Sequence, residues 1–65
     1  MYTRLIIEMR KRGISQIDIA EKIGRRKESV GLKIRGKSEF TSSEMYAICE
    51  MIPDVPMQDL FIREA

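Results

Sequence analysis

The sequence predicts an all-α fold of five short helices, and three observations carry that expectation. Apolar residues recur three and four positions apart along most of the chain, the spacing of one helix face, and no stretch alternates as a strand would. Gly13, Gly24, Gly36 and Pro53 interrupt these stretches, each a residue type that ends helices. Ser15-Gln16-Ile17-Asp18 and Thr41-Ser42-Ser43-Glu44 place a hydroxyl three residues before an acid, the pattern that opens a helix.

Helix 1 is predicted over Thr3–Arg12, with Tyr2, Leu5, Ile6 and Met9 as its apolar stripe and Gly13 as its stop. Arg10, Lys11 and Arg12 fall in its last turn, where they either complement the helix dipole or face nucleic acid. Ile14 is placed to staple the start of helix 2, which runs from Gln16 to about Ile23 behind the Ser15 cap. Ile19, Ala20 and Ile23 form its buried face, and the pattern resumes with Val30 and Ile34 on helix 3, which Gly36 closes. Lys37 to Phe40 form a loop. The Thr41 capping box opens helix 4, with Met45, Ile48 and Ile52 inward and Ala47 and Cys49 beside them. Pro53 stops it, Asp54 to Pro56 turn the chain, and Pro56 leads a last short helix carrying Met57, Leu60 and Phe61, with Leu60 in the core. No linker, repeat or low-complexity run divides the chain, so residues 1–65 are read as one domain.

Composition narrows the function. The chain has 65 residues, room for one modest core. Its lone Cys49 excludes an internal disulfide and points to a reducing, cytoplasmic setting, with Cys49 itself an inert thiol beside the core. With no histidine, no glycine-rich phosphate loop and no serine in a nucleophile setting, an enzyme, a metal site or a bound cofactor is not expected. No small-molecule substrate is evident. No apolar run nears the roughly 20 residues that span a bilayer, so no membrane partner is expected either.

The net charge of +2 hides a strong asymmetry. Residues 1–37 carry eleven Lys and Arg against four acids, a balance of +7, whereas residues 38–65 carry one Arg against six acids, a balance of −5. The basic half contains the sharpest motif of the chain, residues 15–36. There two amphipathic helices meet through a turn so short that they must cross steeply. Ala20 keeps the crossing point small and Gly24 permits a left-handed turn. This is the geometry of a helix-turn-helix, whose second helix is free to enter a DNA major groove. That second helix starts oddly. Where Ser, Thr or Asp would cap it, the chain has Arg25-Arg26-Lys27, and Glu28 is the only acid in its first turn. Cations at the positive end of a helix oppose folding but suit an anionic partner.

Arg12-Gly13-Ile14-Ser15-Gln16, Asp18-Ile19-Ala20, Ile23-Gly24, Val30, Gly36-Lys37, Phe40-Thr41, Glu44, Ile48 and Val55 through Leu60-Phe61 together resemble the phage repressor/Cro (XRE-type) helix-turn-helix family over nearly the whole chain. The resemblance implies a compact lambda-repressor-like domain and a sequence-specific DNA-binding regulator, of the kind encoded by phages and mobile elements. It implies that Gln16 bonds a phosphate and braces helix 3, and that base edges are met near Lys27, Glu28 and Leu32, with Gly31 beside them. Relatives have Ser or Thr before that helix and Gln at its start, so this chain's target cannot be borrowed from them. Some relatives also pair an Arg of helix 1 with a Glu of helix 3. Met9 and Ile34 hold those places here, and an apolar contact between them is expected instead of an ion pair.

The expected roles follow by chemistry. Lys27 is suited to guanine O6 and N7. Glu28 fits either cytosine N4 or the tasks of balancing the dipole and holding Arg25, and Leu32 fits a thymine methyl. Gly31 is either a weak spot or clearance for DNA. Arg25, Arg26, Lys33, Arg35 and Lys37 join Gln16 as phosphate-contact candidates, with the helix 4 amides at Ser42 and Ser43. One such domain buries little surface, so a homodimer is expected at least on double-stranded DNA, with Met57, Phe61 and Ile62 as its interface. The competing expectation is a protein-interaction module that keeps the fold without binding DNA, in the manner of an anti-repressor or antitoxin.

Overall fold

The computed structural model describes residues 1–63; Glu64, counted above in the acidic half, and Ala65 lie outside the described residues. The chain forms α1 (Thr3–Arg12), α2 (Gln16–Ile23), α3 (Lys27–Ile34), α4 (Ser42–Met51) and α5 (Met57–Leu60), with no strand among the described residues. These elements follow the expected order, with α3 ending at Ile34, two residues before Gly36, and α5 at Leu60, with Phe61 as its cap. They pack into a body of about 25 × 25 × 21 Å.

Local chemistry sets the boundaries. Ser15 Oγ accepts from the Asp18 amide at 3.1 Å while the Asp18 carboxylate accepts from the Ser15 amide at 2.8 Å, so both ends of the box are closed. Gly24 ends α2 at φ 72°, a left-handed conformation that a side chain disfavours. The Arg25 amide then reaches back to the Ala20 carbonyl at 3.0 Å, which folds the chain sharply into α3. Only Gly24, Arg25 and Arg26 separate the two helices. The end of α3 is tied down twice: the Lys37 amide bonds the Leu32 carbonyl at 2.9 Å and the Gly36 amide bonds the Lys33 carbonyl at 3.1 Å.

The core takes one face from every helix. Leu5, Ile19, Val30, Ile48, Ile52 and Leu60 are fully buried, with Met9, Ala20, Ile34 and Val55 around them. Met9 and Ile34, expected to touch, are both buried and line one cleft. Tyr2, Phe40 and Phe61 form a ring cluster with centroids 5.5–5.7 Å apart. Of the dimer-interface candidates, Phe61 is half-buried within this cluster, Met57 is also half-buried and Ile62 is exposed. The cluster also sits near the end of α3. The Tyr2 amide bonds the Ile34 carbonyl at 3.0 Å, and Arg63 bonds the Gly36 carbonyl at 2.7 Å and Glu39 at 2.9 Å. No helix among the described residues is long and apolar enough to cross a membrane.

Candidate nucleic-acid interface

Helix α3 buries Val30 and Ile34 and turns Lys27, Glu28, Leu32 and Arg35 outward. Its amino end has no side-chain cap: Arg26 occupies the cap position with an extended backbone and offers no acceptor to the first amides. Those amides therefore lack a side-chain acceptor, and the cations of Arg26 and Lys27 stand beside them, an arrangement that favours an anion. Glu28 is exposed and pairs with neither Arg25 nor Arg26, so the role of holding Arg25 falls elsewhere.

It falls to Glu44. This carboxylate, only 4 % exposed, receives Lys33 Nζ on Oε1 and Arg25 Nε on Oε2, both at 2.7 Å. The Thr41 amide donates to it as well, at 2.9 Å. Burial alone would raise its pKa, but Lys33, Arg25 and the Thr41 amide outweigh that and hold it at about 2. Lys33, expected on a phosphate, is mostly enclosed by this ion pair and lies 5.9 Å above the Phe40 ring, so its charge already serves the fold. Arg25 keeps more freedom, since only its Nε is engaged and its side chain is half-exposed.

A second carboxylate does similar work on α1. Glu8 is buried and accepts from Arg4 and Arg12, each at 2.9 Å, with Lys11 at 3.7 Å. Arg4, then Arg12, hold its carboxyl below the usual range. Arg12 also reaches Asp54 at 2.9 Å, fastening α1 to the turn before α5. Sequence reasoning passed over both hubs. The Arg4–Glu8–Arg12 spacing of four did carry the first one, because such residues stack on one helix face. Nothing local marked the second, since Lys33 and Glu44 meet only through the tertiary fold.

With these pairs removed, the cations separate into two sets. Arg4, Lys11, Arg12, Lys22, Arg25, Lys33 and Arg63 have acidic partners. Arg10, Arg26, Lys27, Arg35 and Lys37 have none among the described residues. The last four flank or belong to α3. Arg10 joins Arg35 and Gln16 along a cleft of about 320 Å³ between α1 and the α2–α3 pair, whose apolar wall includes Ile6, Met9, Ile14 and Ile34. Arg10 was legible only as part of a basic cluster, and the structure separates it from its paired neighbours.

The remaining expected residues sort as follows. Gln16 is exposed at the first position of α2 and lies against α3. Gly31, read as either a weak spot or clearance for DNA, is buried, with the Gln16 side chain over it. Ser42 and Ser43 are exposed at the start of α4, where Ser43 Oγ lies 3.2 Å from Thr41 Oγ1 and the neighbouring Glu44 carboxylate weakens the site for an anion. Cys49 is partly covered and burial raises its thiol pKa, away from the reactive thiolate. Comparison of the chain with protein-family models, with curated proteins and with solved structures returns no match.

Proposed function

We propose that this chain is a sequence-specific binder of double-stranded DNA that regulates transcription, with α2 and α3 acting as a lambda-repressor-like helix-turn-helix and α3 entering the major groove. The observation that carries this reading is the set of five cations without an acidic partner among the described residues: Arg26, Lys27, Arg35 and Lys37 in or flanking α3, and Arg10 of α1, which shares a cleft with Arg35. Self-complementary surface charge would serve solubility. Unpaired charge gathered in and around one helix serves a polyanion.

In this reading Lys27 donates to guanine O6 and N7 from the first turn of α3, Glu28 accepts from cytosine N4, and Leu32 meets a thymine methyl. Arg10, Gln16, Arg26, Arg35 and Lys37 hold the phosphates, helped by the free end of Arg25 and by Ser42 and Ser43. Two copies bind a two-fold operator with their α3 helices about 34 Å apart, one turn of DNA. Met57 and Ile62 serve as their contact. The sequence resemblance supports a repressor of phage or mobile-element type, working in the cytoplasm.

Selection of bound duplexes from a random pool tests this most broadly. A palindromic motif with half-sites one turn apart is the expected result. Absence of any enrichment would transfer the fold to the protein-interaction class and leave α3 as a docking helix.

A further inference from the structure

We infer that Gly31 is a positioning residue for Gln16: its missing side chain seats the Gln16 carboxamide on α3, between Lys27 and Arg35, and so aims the amide at the DNA backbone. This rests on the DNA-binding reading above. Gly31 lies inside α3 and is buried, yet it is not among the glycines with positive φ. Backbone conformation therefore does not require glycine there; space does. A methyl group at this position would meet Gln16 Oε1 at 3.0 Å, Arg35 Nη1 at 3.6 Å and Gln16 Cδ at 3.8 Å. The first approach is tighter than a carbon and an oxygen normally make, so Gln16 Oε1 has to give by a few tenths of an ångström.

The seat lies in a row of meaning for DNA. Lys27, Gly31 and Arg35 recur every fourth residue and so share one strip of α3. Gln16, arriving from the first residue of α2, lies over the glycine of that strip, whose two cations have no acidic partner among the described residues. With Oε1 against the glycine, the Nε2 donors have no partner among the described residues and remain for a phosphate oxygen. A helix interior disfavours glycine relative to alanine, so the fold by itself gains from a change here. Gln16 Oε1 is the far end of an exposed, flexible side chain and swings aside at small cost to the fold.

The test uses the full chain as wild type, Gly31→Ala, Gln16→Ala and the double variant. Urea unfolding reads the fold, and anisotropy on a selected and a random duplex at one salt concentration reads binding. Gly31→Ala is expected to keep or raise the unfolding midpoint while weakening both duplexes about tenfold, the scale of one hydrogen bond to a charged group. Gln16→Ala should weaken them similarly, and the double variant should bind no worse than Gln16→Ala. Wild-type affinity in Gly31→Ala overturns the inference. So does a further loss when Gly31→Ala is added to Gln16→Ala, which would mean that the glycine clears the DNA itself. A wild type without salt-dependent DNA affinity removes the functional reading and this inference together, whereas binding that Gly31→Ala leaves untouched removes this inference alone.

Discussion

The amino ends of α3 and α4 differ in how their exposed amides and charges are satisfied. At α4, Thr41 Oγ1 accepts from the Glu44 amide at 3.2 Å and Glu44 accepts from the Thr41 amide at 2.9 Å, so the chain caps itself. Glu44 then draws in Lys33 and Arg25 and fixes α3 to α4. At α3 there is no side-chain cap, the cap and first residues are Arg26 and Lys27, and the one acid of the first turn, Glu28, has no cationic partner among the described residues. One end is complete within the fold. The other has no side-chain partner for its first amides, and under the proposed function that is where an anion binds.

Breaking the complete end has the largest expected effect. Glu44→Ala leaves Lys33 enclosed without its partner, since that side chain is only 12 % exposed. We expect a loss of about 3 kcal/mol, the scale for removing one side of a buried ion pair, read from urea unfolding. A loss near that of an ordinary surface change would mean that Lys33 escapes to solvent and that α4 does not anchor α3. Acid offers a second way in. The Glu44 carboxyl sits at about 2 against an ordinary value of 4.5, so its contribution is complete above the ordinary value and drains as pH falls toward the lower one. The melting temperatures of wild type and Glu44→Gln should therefore converge across that window. Parallel curves would place the acid sensitivity at other carboxylates, such as Glu8.

Changes at the open end should leave the fold alone and move binding. Lys27→Ala is expected to cost about 1–3 kcal/mol on the preferred duplex and little on random DNA, as loss of a guanine contact would. Equal losses on both would make Lys27 a phosphate contact and shift base reading to Glu28 and Leu32. Arg26→Ser has a smaller but two-signed effect. It supplies the missing N-cap and should add about 1 kcal/mol of stability while weakening DNA binding. A variant that gains in both would show that Arg26 meets no phosphate.

Much of this contrast was legible in the sequence. The capping boxes at Ser15 and Thr41, the glycine stops and the apolar spacing are local signals, and each helix lies where they put it. The uncapped start of α3 was equally plain, because it depends on which residues precede Lys27. What stayed hidden depends on tertiary neighbours. Lys33 looked like any exposed lysine of a recognition helix until Glu44 approached from α4. Phe61 looked like a free apolar residue until Tyr2 and Phe40 came beside it. Gly31 presented two readings, and neither included Gln16, fifteen residues earlier, as the group that occupies its space.

If only the unpaired cations meet phosphates, the salt dependence of binding separates them from the paired ones. Each Lys or Arg that neutralises a phosphate contributes about 0.9 to the slope of log affinity against log salt concentration. Arg35 has no acidic partner among the described residues, whereas Lys22 pairs with Glu50 at 2.8 Å on an exposed surface. Anisotropy titrations over a range of salt should give Arg35→Ala a slope shallower by about 0.9 per protomer and leave Lys22→Ala with the wild-type slope. Equal slopes for the two variants, in either direction, would contradict the account.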